Sequence, residues 1–222
     1  MAFTPDEAVA ARVAVVVDVL RATSTIAQAL ASGYRRVFCC RDVEDARALR
    51  DALGEGLLGG ERHAVRIPGF DVGASPREFL EPRAETVIFS TTNGTRAVLA
   101  AAAACELVLL GSLLNLEAVA AAAGDGGDDV CVVCAGFQGT FALDDAYCAG
   151  RIVALLPGAR TDAAVACEAL ARAFPTALDG LHARTYGPPG LEDDIAWCAR
   201  ENTLAVVPRL ARMFDGAAEI LA

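Results

Sequence analysis

The chain has 222 residues, 55% of them hydrophobic, and a formal net charge of −10. That length suits one domain over 1–222 with a substantial core, and the charge argues against nonspecific binding to nucleic acid or anionic membranes. No apolar run reaches the roughly 18–20 residues a bilayer span needs, and residues 1–12 lack the basic start and apolar core of a secretory signal, so a cytoplasmic protein is expected.

"VAVVVDVL" (13–20) reads as a buried strand broken only by Asp18. It runs into "TSTIAQALASG", where hydroxyls stand ready to cap a helix and Gly33 to end it. "RRVFCC" (35–40) precedes "DVEDARALRDALG", with Asp42 as a natural N-cap and Gly54 as a natural stop. Residues 55–85, rich in Gly, Pro and charge, break the rhythm and read as a long loop or small excursion of the kind that carries function. "TVIFS" (86–90) leads to a helix from Gly94 to about Cys105, and "ELVLLG" (106–111) leads to "NLEAVAAAAG". "DVCVVCAG" (129–136) leads through a Gly-rich turn to "DDAYCAGRIVALLPG". After residue 158 the pattern is mainly helical, with one short strand candidate, "TLAVVP" (203–208). Such alternation predicts an α/β fold whose mostly parallel sheet is covered on both faces.

Ligands of parallel α/β sheets bind beyond the carboxyl ends of the strands. Four strand ends here carry polar clusters: "DVLRATST" (18–25), "TTNGTR" (91–96), "GSLLN" (111–115) and "AGFQGTFALDD" (135–145). In the second, Gly94 opens a helix whose free N–H groups favour an anion. Thr92, Asn93 and Thr95 add neutral donors, and Arg96 adds a fork suited to phosphate. An ordinary capped turn would need only one of these. The first cluster repeats the scheme with Arg21 beside Thr23 and Thr25, and adds Asp18, a carboxylate costly to bury without a cation or hydrogen bonds. Ser112 and Asn115 are the candidates in the third.

Asp18, Glu61, Asp71, Asp144 and Asp145 form the nearby carboxylate inventory. Carboxylates together with phosphate oxygens are the usual ligands of Mg2+. The plainer alternatives make Asp144 and Asp145 helix N-terminal acids and Glu61 a surface charge. Asp193, Asp194 and Arg200 either border the site or are solvated helix charges, the commoner case. The eight cysteines read as reduced, mostly buried small hydrophobes, "CVVC" (131–134) included. With only His63 and His182, a multi-histidine metal site or a histidine nucleophile is nearly excluded. The P-loop pattern is absent, no cysteine is followed by five residues and an arginine, and "DVLRAT" has Leu20 where the aspartyl-phosphatase signature places its second acid.

"DVLRATST", "GER" (60–62), "IPGFDVGASP" (67–76), "TTNGTRA", "GSLLN", "CAG" (134–136) and "LDDAYCAG" (143–150) resemble, in order, the magnesium-dependent 2-phosphosulfolactate phosphatases. The resemblance covers most of residues 13–155. It implies a three-layer α/β/α sandwich, its mostly parallel sheet open to some mixing, with an active site unlike those of the common phosphatase superfamilies. It also implies hydrolysis of 2-phosphosulfolactate to sulfolactate and phosphate, a step toward coenzyme M. Ala74 departs from a usual asparagine, and Asp144 from a more usual glutamate.

The expected mechanism places Mg2+ on some of Asp18, Glu61, Asp71, Asp144 and Asp145, with Arg21, Arg96 and the 92–95 backbone holding the phosphate and Arg62 as a further cation. Two alternatives stand beside it: a phosphatase of the same fold acting on another 2-phospho-acid, and a non-catalytic binder of phosphorylated metabolites. Alanine-rich helix faces suit either a homodimer or close packing inside the fold.

Overall fold

The computed structural model describes residues 1–7, 9, 11–125 and 129–222. In chain order, β1 (Val13–Val17), α1 (Ala22–Ala31), β2 (Arg36–Cys40) and α2 (Val43–Leu53) come first. They are followed by β3 (Leu57–Arg62), β4 (Val65–Arg66), β5 (Thr86–Ser90), α3 (Gly94–Ala104), β6 (Leu107–Gly111) and α4 (Leu116–Gly124). The chain continues through β7 (Val130–Cys134), α5 (Leu143–Leu155), α6 (Asp162–Ala173), α7 (Ala177–His182) and α8 (Glu192–Cys198). It closes with a hairpin of β8 (Arg209–Phe214) and β9 (Ala217–Leu221).

The sheet order is β4-β3-β5-β2-β9-β8-β6-β1-β7. Two parallel blocks, β3-β5-β2 and β6-β1-β7, flank the β8–β9 hairpin, which pairs antiparallel to each of them. The fold is therefore the α/β sandwich with a mixed sheet. Hydrogen-bond polarity makes the two blocks run in opposite senses. Five inter-strand steps separate β5 from β1, and a twist of about 20–25° per step accumulates to roughly 100–125°. That rotation swings the carboxyl ends of β1 and β5 toward one corner instead of opposite edges.

Side-chain alternation sets the layers. Ala14 and Val16 of β1 and Val87 and Phe89 of β5 pack inward with α1 and α3. Val13, Val15 and Val17 face outward onto α4, α5 and the helices stacked beyond them. Phe38, Leu58 and Ile88 face outward around Ala46 of α2. A period of two continued past the strand ends puts Asp18 after Val16, Glu61 after Leu57 and Gly59, and Thr91 after Phe89 on the inner face.

Three local expectations change. Residues 55–85 hold a buried parallel strand, β3, within the predicted excursion. Its "LLGG" was unreadable as a strand because glycine is depleted there. The reason for glycine is close approach: the Gly60 backbone passes so near the Ser90 carbonyl that a Cβ has no room. At the other end, "TLAVVP" forms no strand; Leu110 N–H reaches the Pro208 carbonyl at 2.8 Å, and the ladder begins at Arg209. β8 itself is largely exposed, so it lacks the apolar run that marks a strand in sequence. Asp42 caps α2 through Asp45 N–H, and Gly54 ends it in the left-handed conformation, as predicted. The hydroxyls at 23–25 do not cap α1; Asp18 Oδ1 accepts from Ala22 N–H instead.

The eight cysteines are free. Cys131 belongs to the inner cluster and Cys134 to the outer one, as two residues three apart in a strand must, so they cannot chelate together. Among the described residues no helix is long and apolar enough to cross a membrane.

A candidate active site at converging strand ends

A cavity of about 280 Å³ opens at this corner. Asp18 and Arg21 enter it from the end of β1, Glu61 from β3, and Thr91, Thr92 and Asn93 from the turn after β5. Phe137 and Gln138 come from beyond β7, and Arg184, Tyr186 and Leu191 from the segment joining α7 to α8.

Asp18 is 7% exposed. Its backbone is locked by Thr23, whose hydroxyl accepts from Asp18 N–H at 3.1 Å and donates to Asp18 O at 2.9 Å. Gly94 presses against it: a Cβ there would stand 2.7 Å from Asp18 Oδ2. Burial pushes the Asp18 carboxyl up to about 7. The Ala22 N–H opposes the shift, Glu61 and Asp144 add to it by repulsion, and Arg21 pulls the other way.

Glu61 bridges two turns, accepting from Ala64 N–H at 2.7 Å and Thr92 N–H at 2.9 Å. Thr91 and Thr95 close the β5–α3 turn on themselves, each hydroxyl accepting from the other's N–H at 3.2 Å. Asn93 Oδ1 accepts from Gln138 N–H at 3.3 Å. The Thr92 hydroxyl, by contrast, is buried with no partner among the described residues. A buried polar atom left this way in a cavity wall is uncommon and makes the turn a candidate ligand contact.

Behind Asp18, Asp145 ties two strand ends together, accepting from Val19 N–H at 2.9 Å and Gly136 N–H at 3.0 Å. Asp144 accepts from Asp145 N–H and from the Tyr186 hydroxyl. Burial raises both carboxyls. For Asp145, repulsion from Asp144 and Asp18 reinforces the shift; for Asp144, the Tyr186 hydrogen bond opposes it. Five carboxylates in and behind the cavity, counting Asp194, face two guanidiniums, Arg21 and Arg184.

The structure thus gathers Asp18, Arg21, Glu61, Thr92 and Asn93 at one cavity, with Gly94, Thr23, Asp144 and Asp145 directly behind. It does not bring in the remaining candidates. Arg96 is exposed and paired with Asp6. Asp71 accepts from Leu58 N–H and stands 3.8 Å from Arg50. Ser112 and Asn115 bond each other and the Leu110 and Val206 carbonyls, a buried knot below β6. Thr25 donates to the Ala74 carbonyl, and Arg62 holds Ser90. Asp194 is a correction: it is 6% exposed and ion-paired to Arg21 at 2.7 Å, with Ser75 Oγ donating to its other oxygen. Asp193 stays at the surface against Arg77, and Arg200 lies over the Trp197 ring.

The sequence reading missed Arg184, Tyr186 and Phe137. The Tyr186 and Phe137 rings stack at 4.5 Å between centroids. "HARTYGPPGLE" (182–192) offered a signal, since a Gly- and Pro-rich loop that also holds Arg and Tyr is more than a connector.

Thr92→Val tests the orphan hydroxyl. Replacing an unpartnered buried hydroxyl by a methyl group removes a desolvation cost, so the melting temperature should hold or rise. Turnover of the substrate should fall by about 10–100-fold if that hydroxyl meets ligand. A fall in stability without loss of activity would make Thr92 structural.

Asp18, Glu61, Asp144 and Asp145 are hard oxygen donors whose mutual repulsion a cation would relieve. Among the described residues no three His, Cys, Asp or Glu side chains stand close enough to form a preformed metal cage. An ion at this place would rest on no more than two of these side chains, with its other positions left to waters or a ligand.

A sequence model of the family described as "2-phosphosulpholactate phosphatase" matches residues 2–212. Proteins named "probable 2-phosphosulfolactate phosphatase" are similar over nearly the whole chain. That of Symbiobacterium thermophilum is 41% identical over 218 residues, covering 92% of this chain and 93% of the relative. That of Carboxydothermus hydrogenoformans is 37% identical, with 87% and 84% covered. That of Thermus thermophilus is 38% identical, with 89% and 87% covered.

Proposed function

Because this chain belongs to the 2-phosphosulpholactate phosphatase family, and is by that membership a phosphoric monoester hydrolase, we propose that its cavity hydrolyses 2-phosphosulfolactate to 3-sulfolactate and phosphate with Mg2+, the reaction type that leads toward coenzyme M. The observation that carries the reading is that the buried Asp18 and Thr92, whose hydroxyl has no partner among the described residues, line one cavity at the start of α3.

Asp18 and Glu61, both in the cavity wall, would hold Mg2+. Each Glu61 oxygen already accepts one backbone N–H and keeps a further lone pair for an ion. When bound, the ion neutralises charge developing on the phosphoryl oxygens. Asp71, outside the cavity, drops from the ligand set. Asp144 and Asp145 hold the ends of β1 and β7 and the Tyr186 hydroxyl in place.

The chain's own residues then do the positioning that phosphoryl transfer requires. The Thr92 hydroxyl, Asn93 and the first turn of α3 receive the phosphate, favoured by the helix dipole. Arg21 is held by Asp194 and the Ala64 carbonyl, which leaves further N–H donors of its fork for substrate oxygens. A water oxygen bonds to phosphorus, the ester P–O bond breaks, and the sulfolactate oxygen takes the proton that the water gives up. An acyl phosphate on Asp18 is the two-step alternative, and acid-quench trapping separates the routes.

Phosphate release measured with Mg2+, after EDTA, and after Mg2+ is returned tests the proposal. EDTA should remove at least about 99% of turnover, and Mg2+ should restore it. Undiminished turnover in EDTA would remove the metal from the mechanism. Metal-independent binding with no turnover of any phospho-acid would make the protein a binder.

A further inference from the structure

The arginines around the cavity differ in what already engages them. Arg21 is ion-paired to Asp194, with both side chains under a tenth exposed. Arg62 donates to the Glu61 and Ser90 carbonyls and the Ser90 hydroxyl, and Arg96 is paired at the surface. Arg184 lines the cavity, and its one hydrogen bond among the described residues goes to the Tyr186 carbonyl at 3.1 Å. It forms no direct ion pair among them; Asp144, held by the Tyr186 hydroxyl, is the nearby acid that senses its charge, and the guanidinium keeps further N–H donors toward the cavity.

Its position is built. Gly187 sits at φ +93°, a backbone conformation L side chains rarely adopt, and the guanidinium packs close over it, against the place where a Cβ would stand. Tyr186 pins the segment at two points, with its ring on Phe137 and its hydroxyl on Asp144. A cation in a half-buried wall of the same cavity, carried on a different segment from the Thr92–Asn93 turn, fits a second anionic group on the same ligand.

We infer that Arg184 is a specificity-determining residue that binds the non-phosphate acid, the sulfonate or carboxylate, of a phosphorylated acid. This rests on the phosphatase reading above for its substrate class. Phosphate is received at the β5–α3 turn, and the segment between α7 and α8 reads the acid.

The test compares 2-phosphosulfolactate with glycerol 2-phosphate, a secondary phosphomonoester with no acid group, on the full-length wild type, Arg184→Gln and Arg184→Lys. Arg184→Gln should lower kcat/KM for 2-phosphosulfolactate by about 10–100-fold, mostly through KM, and leave glycerol 2-phosphate within about twofold. Arg184→Lys should fall between. Equal losses on both substrates, or no loss on either, would overturn the assignment. If the wild type hydrolyses neither compound, the phosphatase reading fails by itself, and calorimetric binding of 3-sulfolactate then decides. Binding at least about tenfold weaker in Arg184→Gln supports the role, and equal binding, or none in either protein, overturns it.

Discussion

Asp18→Asn is expected to cut turnover by about 10³-fold or more while leaving the metal-free fold intact or firmer. The substitution keeps the shape and the Ala22 N–H contact but removes the charge that would hold the ion. The pH dependence gives a second readout. In the folded protein burial, reinforced by Glu61 and Asp144, raises this carboxyl from 3.8 to about 7. Folding therefore favours the protonated acid. Its contribution to stability is full below about pH 4 and is lost as pH rises through about 7. The melting temperature of the metal-free wild type should fall between pH 5 and pH 8. The fall should be smaller in Asp18→Asn, and Mg2+ should reverse it in the wild type alone. Identical pH profiles for the two metal-free proteins would mean that Asp18 is not the strained group.

Gly94→Ala should damage stability and activity together. The new methyl would collide with the Ala22 side chain and sit 2.7 Å from Asp18 Oδ2. Neither α1 nor the β5–α3 turn can retreat easily, because Thr23 and the Thr91–Thr95 pair fix them. Overpacking of this sort costs about 1–3 kcal/mol, or roughly 2–12 °C in a domain of this size. Activity should fall further than stability, since the atom displaced is the Asp18 carboxylate. Thermal denaturation and phosphate release on the same preparation check both. A variant as stable and as active as wild type would show that the contact has slack.

The sequence made much of this legible, and the limits have physical causes. β1, β2, β5, β6 and β7 were readable because each is a short apolar run between helical segments. The Asp18 and Thr92–Asn93 clusters were readable because polar residues at the ends of such runs are conspicuous. What failed was direction. A polar cluster after a strand says that side chains are near an end, not where they point, so Arg96, Ser112 and Asn115 looked equivalent to Arg21 and Thr92. Asp194 ranked as a surface charge and Arg184 was missed because both arrive from far along the chain, and pairings such as Arg21–Asp194 leave no periodic trace. The antiparallel relation of the two blocks was hidden in β8, whose exposed residues look like surface.

That hairpin has a consequence for biosynthesis. Every other strand leaves the ribosome before β8 and β9, yet those two lie between β2 and β6 and join the blocks that carry Glu61 and Asp18. A nascent chain that has emerged through α8 but not through β8 and β9 has both halves of the pocket and no continuous sheet to hold them in register. Enzymatic competence must therefore emerge late and all at once, after translation has passed the hairpin, and not grow domain-first from the N-terminus.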